Sequence, residues 1–412
     1  MSSQLAKLID EKVEFLTPRV CSVEDVCAQT TLPIFSDAAL SFINALSRAI
    51  LRNTHLRQFP ELIAFGHWMR RRNILSLKEN LFQDLRDRCL VGRGVALHIA
   101  PANVDTIFLY SVLLSLLCGN INIVRLSSRR SEQLETIVEL ISNLLKDESH
   151  KEVAQRLIVL RYERSDSITG DLSKLADLRV LWGGDTTVSS IRKLPAKPHT
   201  SDVCFPDRWS LAVFNADDLV EFGIDDELVR HFANDSYWFG QQACSSPRLV
   251  IWRGKFENCR QASEVFWSKL SAAALHFSDD LLAVDYVNKL VAVDEMSIRG
   301  EIASSRVNAN NLLSVVDFAK DALPQLEHHC GAGLFFQASV SSLKEIAPLL
   351  ESKTQTVVSE GITKSEWLQF ITECKPTGIS RIVPVGEALN FSSIWDGMDL
   401  LREFTREITI HL

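Results

Sequence analysis

Residues 94–126, GVALHIAPANVDTIFLYSVLLSLLCGNINIVRL, decide the fold. Gly94–Ala100 and Ile121–Leu126 are β-rich runs, and a helical run from Val104 to Cys118 lies between them. Gly119 and Asn120 supply a helix stop before the second strand. Two apolar strands joined by a helix make a right-handed crossover and a parallel sheet buried on both faces. Ile107–Cys118 is the longest apolar run, yet it is interrupted by Tyr110, Ser111 and Ser115. It falls short of the ~20 apolar residues that span a bilayer, so a buried helix is expected and no transmembrane segment.

The pattern continues outward. Ser131–Lys146 places Leu134, Ile137, Val138, Ile141, Leu144 and Leu145 on one helical face, and LIVL at 157–160 and RVLW at 179–182 read as further strands. The first half is therefore Rossmann-like, with helices such as Asp37–Arg52 before about position 90. The glycine fingerprint GxGxxG is absent, because Gly92-Arg93-Gly94 precedes the first strand instead of following it. A second α/β region starts near Trp209, after Pro195, Pro198 and Pro206, with strands expected at 210–214, 249–252, 334–336, 356–358 and 382–385.

Composition narrows the class. The 412 residues are 46% hydrophobic and 23% charged, with a net charge of −8. That is ordinary for a globular protein and disfavours a general nucleic-acid binder. The N-terminal stretch is polar and lacks the apolar core of a secretory signal. Nine cysteines, an odd number without a CxxC pair, read as reduced thiols in a cytoplasmic protein. His328, His329 and Cys330 form a His/Cys cluster without the second pair a zinc site needs, so it reads as a loop before a strand and no metal is expected.

Chemistry points to Trp238–Arg248, WFGQQACSSPR, which runs from a helix into a strand. A cysteine in such a turn, here Cys244, meets backbone N–H groups that favour its thiolate. A buried inert thiol is the alternative, and the polar flank of Gln241, Gln242, Ser245 and Ser246 balances the two. Gly183 and Gly184 precede a helix, so the turn is either a phosphate site or a plain connection.

QQACSSPR resembles the cysteine segment of the acyl-CoA reductases of bacterial luminescence, the LuxC family, a branch of the aldehyde dehydrogenase superfamily. Five further segments resemble that family in order: HIAPANVD (98–105), CGNINIVRLSSR (118–129), WGGDTTVSSIR (182–192), FPDRWSLAVF (205–214) and SRIVPVGEALNFSSIWDG (380–397). The resemblance implies an aldehyde-dehydrogenase-like α/β fold. It would comprise N-terminal helices and a dinucleotide-binding domain over residues 1–208, a catalytic domain over 209–388, and a C-terminal segment over 389–412. It implies Cys244 as nucleophile and Asn103 as oxyanion donor, with cofactor contacts at Arg125, Ser127, Ser128, Gly183, Gly184, Asp185 and Thr186.

Three departures bear on mechanism. Asp105 stands where the superfamily usually has Pro, and Arg125 where it has Lys. Cys204–Arg208 aligns with the segment that elsewhere carries a water-activating Glu and has none, although Asp202 and Asp207 lie in or beside it. Without that base an acyl-cysteine hydrolyses slowly and exchange with a thiol is the natural exit. The expectation is reduction of a fatty acyl-CoA or acyl carrier to an aldehyde. A non-catalytic scaffold or acyl carrier and an aldehyde-oxidising dehydrogenase are the alternatives. Arg125, Arg129 and Arg130, with no acidic residue among them, suit the 2′-phosphate of NADPH, although Arg129 and Arg130 also read as a solvated helix start. By resemblance, an acyl-protein synthetase is a candidate partner and a homo-oligomer a candidate assembly.

Overall fold

A computed structural model describes residues 12–18, 22–83, 88–101, 107–308, 310–318 and 329–411. The chain divides into two compact units: Met1–Pro206 with Phe391–Leu412, and Asp207–Asn390.

The first unit contains strands β1 (Glu14–Phe15), β2 (Arg88–Gly92), β3 (Val95–Ile99), β4 (Ile121–Leu126), β5 (Leu157–Arg161), β6 (Leu178–Trp182) and β7 (Ser201–Phe205). Its main sheet has the order β1-β5-β4-β3-β6-β7. All neighbours are parallel except β1, which runs antiparallel to β5. The chain steps from β3 outward through β4 to β5, then returns to β6 on the other side of β3, so the switch point of the sheet lies between β3 and β6.

The apolar run is the helix Ile107–Leu117, and every residue of it is buried. Its polar groups are matched: Tyr110 Oη donates to the Ser392 carbonyl, and Ser115 Oγ accepts from Asn120 Nδ2 at 3.2 Å. Beneath it His98 of β3 has Nδ1 3.1 Å from Ser111 Oγ and Nε2 3.0 Å from Asn122 Oδ1. Among the described residues, no helix is long and apolar enough to cross a membrane.

The second unit has β8 (Trp209–Asn215), β9 (Pro247–Arg253), β10 (Ile302–Val307), β11 (Ser314–Phe318), β12 (Leu334–Val340), β13 (Thr354–Glu360) and β14 (Arg381–Pro384). They form a seven-stranded sheet in the order β10-β11-β12-β9-β8-β13-β14. Only the β10–β11 pair of this sheet is antiparallel among the described residues. Its core on one face includes Phe214, Phe232, Trp252, Phe266 and Phe335. After β14 the chain adds the short pair β15 (Ile394–Trp395) and β16 (Met398–Asp399), and β17 (Thr405–Thr409) pairs antiparallel with β2. Asn120 Nδ2 donates to the Phe404 carbonyl at 2.9 Å, tying this returning segment to the first unit.

Two buried histidines set a pH dependence. Burial depresses His98 to about 4. Burial, then the Arg248 charge, depresses His329 to about 3. An unfolded histidine titrates near 6.5, so below that pH the unfolded chain binds protons that the folded one refuses. Stability from these groups is fully present above about pH 6.5 and falls as pH drops, toward 4 for His98 and toward 3 for His329, by roughly 3–5 kcal/mol for each. Urea unfolding at pH 7.5 and pH 4.5 measures this loss. His98→Gln should flatten the slope, and an unchanged slope in that variant would remove His98 as its source.

Candidate active site

Cys244 lies in the turn between the helix Asp226–Tyr237 and β9. The helix is capped at its start by Asp225, whose Oδ1 accepts from Leu228 N at 2.6 Å. Past its end the backbone turns left-handed at Phe239, Gly240 and Gln241, with φ of 58°, 58° and 63°. A bulky residue such as Phe239 is rare there, and such strain persists only where the surroundings enforce it. Gln241 is 1% exposed. Its Nε2 donates to the carbonyls of Pro247 (2.8 Å) and Leu334 (3.0 Å), and its Oε1 accepts from Gly333 N at 3.0 Å. Gly331 has φ +77°, and a Cβ there would meet Gln242 Nε2 at 2.4 Å and the Gly240 carbonyl at 2.5 Å, so glycine lets the two loops approach.

The thiol itself is half-buried. The Cys244 carbonyl accepts from Ser210 Oγ at 2.7 Å, and Ser210 Oγ accepts from Thr356 N at 3.1 Å, which pins the turn to β8 and β13. Sγ accepts from Gln355 Nε2 at 3.1 Å. Arg248 closes the same segment; burial pushes its guanidinium down, and Cys244, then Asp207 and Cys330, oppose that shift. A cation and a thiolate so placed stabilise each other. His329 is neutral: Gly331 N donates to its Nδ1 at 3.0 Å, so Nε2 carries the proton given to the Leu334 carbonyl at 2.6 Å.

Other thiols are held in the protonated state. Burial pushes Cys27 up to about 12 and raises Cys118, Cys204, Cys259 and Cys330 as well. Of the acids near the missing glutamate, Asp202 is gripped by Arg179 through Nε (2.6 Å) and Nη2 (2.7 Å). Asp207 is exposed and lies in the field of Arg248.

In the first unit a cavity of about 380 Å³ opens at the carboxyl ends of β3, β4 and β6. That is the switch point, where open α/β sheets bind ligands. Arg125, Ser127, Gly183 and Gly184 line it, together with Pro101 and Trp182. Gly184 starts the helix Asp185–Arg192 without a side-chain cap, which leaves its first backbone N–H groups suited to an anion. A Cβ on Gly183 would lie 3.2 Å from Thr187 Cγ2. Ser128, Asp185 and Thr186 are exposed and are not among the lining residues. Arg130 is engaged elsewhere, with Glu14 at 2.7 Å and Glu135 at 3.6 Å. Asn103 and Asp105 lie outside the described residues.

Sequence reasoning missed Arg164, Asp166 and Thr169, which follow β5 and line the cavity. The stretch from Arg125 to Arg130 holds no acidic residue, and Asp166 brings one to the cavity from another part of the chain. Arg125 Nη2 donates to the Tyr162 carbonyl at 3.2 Å, and its guanidinium lies 5.4 Å from the Tyr162 ring centre. Burial lowers the Arg125 pKa and Arg164 lowers it further.

The two α/β units, one with a switch-point cavity and one with a thiol in a strained turn, have the aldehyde dehydrogenase fold. The chain is similar to aldehyde dehydrogenase 21 of Physcomitrella patens, solved with succinate (TM-score 0.65, 9% identity, 93% of this chain and 86% of that one). It is also similar to a betaine aldehyde dehydrogenase of Staphylococcus aureus solved with NAD+ (TM-score 0.60, 13% identity, 90% and 81%). The chain belongs to the acyl-CoA reductase (LuxC) family, which it matches over residues 69–407. A long-chain acyl-protein thioester reductase of Aliivibrio fischeri is 25% identical over 164 residues, 39% of this chain. The match spans 32% of that relative's length.

Gln241→Ala should show what the strained turn costs. It strands the Pro247 carbonyl and the Gly333 N–H, each worth about 1–3 kcal/mol, while the Leu334 carbonyl keeps its bond from His329 Nε2, so denaturant unfolding should lose about 2 kcal/mol or more. A loss below about 1 kcal/mol would mean that the turn does not depend on Gln241.

Proposed function

We propose that the chain reduces a fatty acyl thioester to an aldehyde through an acyl group on Cys244, with NADPH as the reductant. The observation that carries this reading is the Cys244 thiol, which accepts from Gln355 and is paired electrostatically with Arg248 while burial raises five other thiols. Family membership supports acyl reduction, and the name of the Aliivibrio fischeri relative supports a long-chain acyl thioester. The donor is a fatty acyl-CoA or an acyl carrier, and an acyl-protein synthetase is a candidate partner.

The Cys244 thiolate attacks the thioester carbonyl, a C–S bond forms, and the donor thiol leaves with the electron pair of its own C–S bond. Asn103 and the Cys244 backbone N–H take up the developing oxyanion. Arg125, Gly183 and Gly184 would hold a reduced nicotinamide nucleotide by its phosphates, and that group would supply a hydride to the acyl carbon. Cys244 then departs as thiolate and the aldehyde is free. Asp202 is held by Arg179 and Asp207 lies in the field of Arg248, and exchange with a thiol is the exit that competes with reduction.

The cavity of the first unit fits an anionic nucleotide. Both Arg125 and Arg164 line it, and Arg164 lowers the Arg125 pKa; an anion between two guanidiniums relieves that repulsion. Gly183, Gly184 and the uncapped helix start suit a phosphate. The 2′-phosphate of NADPH supplies a further anion for the arginine pair.

Two measurements test the reading. Long-chain acyl-CoA without cofactor should add one acyl mass to the intact protein, and Cys244→Ala should abolish it. Asn103→Ala should form it on the order of 10²–10³ slower. An adduct that survives Cys244→Ala, or maps to Cys204, overturns the nucleophile. Separately, kcat/KM should favour NADPH over NADH. Arg125→Ala and Arg164→Ala should each cut the ratio about tenfold, while Arg130→Ala, paired with Glu14, should not change it. Equal kcat/KM for the two cofactors refutes the NADPH assignment.

A further inference from the structure

We infer that Gln355 is a catalytic residue of the Cys244 site: its side-chain amide donates to Sγ, holds the sulfur as nucleophile and leaving group, and faces the acyl-enzyme with a group that cannot activate water. The inference rests on the proposed acyl transfer to Cys244.

The orientation of the amide follows from a chain of hydrogen bonds with a fixed direction. Arg381 Nε lies 3.2 Å from Thr356 Oγ1. A guanidinium only donates, so Thr356 Oγ1 accepts there and keeps its own proton to give. Gln355 Oε1 receives it at 3.4 Å. An amide oxygen engaged in this way turns the NH2 end toward Cys244, and Nε2 lies 3.1 Å from Sγ. The sulfur is thereby the acceptor, the role that a thiolate fills best.

The frame around this chain is rigid. Gln355 is 3% exposed and its carbonyl accepts from Ser380 N at 2.8 Å. Arg381 is itself anchored, donating to the carbonyls of Asn390 (3.0 Å) and Ala388. Ser210 bridges Thr356 N and the Cys244 carbonyl, which fixes the donor strand against the thiol turn.

A buried N–H directed at sulfur favours the charged form of the thiol before attack. It acts again when the tetrahedral adduct collapses. The C–S bond breaks, its electron pair goes to Sγ, the carbonyl re-forms from the oxyanion, and the Gln355 N–H meets the departing thiolate. In between, an amide is too weak a base to take a proton from water. A carboxylate at the same position would do so.

The test is the pH dependence of Cys244 alkylation by iodoacetamide in the full chain, read by peptide mass spectrometry with Cys244→Ala as blank. Gln355→Met keeps the size and removes the donor. It should raise the alkylation midpoint by about one to two pH units with an unchanged melting temperature. Gln355→Glu should raise it at least as far and shorten the lifetime of the acyl adduct on the order of 10²-fold. Thr356→Val, which keeps Gln355 but frees its oxygen, should raise the midpoint part of the way and serves if the other variants do not fold. Midpoints equal to that of the unaltered protein overturn the role. Alkylation needs no acyl substrate. A shifted midpoint in a protein that never takes an acyl group would sink the proposed function and leave Gln355 as the thiol's donor. Normal acylation with unshifted midpoints would sink the Gln355 role alone.

Discussion

Parallel strands cannot be joined by tight turns; each must return through a crossover before the next begins. Every strand of such a sheet therefore starts on one edge and ends on the other. In the second unit β8, β9, β12, β13 and β14 run parallel, with Ser210 opposite Pro247, Phe336 opposite Leu249 and Thr356 opposite Arg381. Their beginnings bring Ser210, the Cys244 turn, the His329–Gly333 loop, Gln355 and Arg381 to one edge. The first unit uses the opposite edge. Its cavity is lined by residues just past the ends of β3, β4, β5 and β6, where the reversal of strand order at β3 and β6 opens a crevice.

Position alone does not make a thiol reactive. On the amino edge of the second sheet one guanidinium serves several groups at once. Arg248 interacts electrostatically with Cys244 and holds His329 further from protonation. Cys330 feels both Arg248 and Lys289, yet burial outweighs these cations and raises it. Lys289 in turn is pushed down to about 8 by burial, and its ammonium donates to the Asn311 carbonyl. The arrangement is asymmetric: two cysteines near one cation, of which Cys244 also receives a side-chain N–H at sulfur.

Much of the scaffold was legible, for a local reason. Val95–Ile99, Ile121–Leu126 and Leu178–Trp182 are apolar along their length because both faces of a parallel sheet are covered. β7 was not legible: Ser201 and Asp202 break its pattern, and Asp202 is there to meet Arg179 across the β6–β7 pair. β10 was missed because it is an exposed edge strand from Ala303 to Val307, with no burial period to read. The cysteine turn was visible as a motif, but its partners were not. Gln355 is 111 positions from Cys244, and only the register of the sheet joins them. The resemblance led to Arg125, Ser127, Gly183 and Gly184 at the cavity. Arg164 and Asp166 sit after β5, in a loop that carries no motif of its own. Asp185 and Thr186 begin a helix whose buried side is reached only at Val188, so their side chains are exposed.

The strain at Phe239–Gln241 has a geometric consequence for the chemistry. A helix that ran straight into β9 would carry Cys244 into the core, where burial silences a thiol as it does at Cys118 and Cys259. A long loop would leave the thiol in water, without a fixed N–H or a desolvated cation. Left-handed residues between the helix and the turn reverse the chain within a few positions, so the turn lies at the sheet edge with Sγ half-buried. The three hydrogen bonds of Gln241 offset the cost, and they are spent on the backbone carbonyls of Pro247 and Leu334 and the N–H of Gly333. These atoms begin the strands that flank the thiol. The group that holds the turn in a disfavoured conformation is thus the group that aligns the turn with β9 and β12, and a nucleophile placed in this way is set by the register of the sheet rather than by the flexibility of a loop.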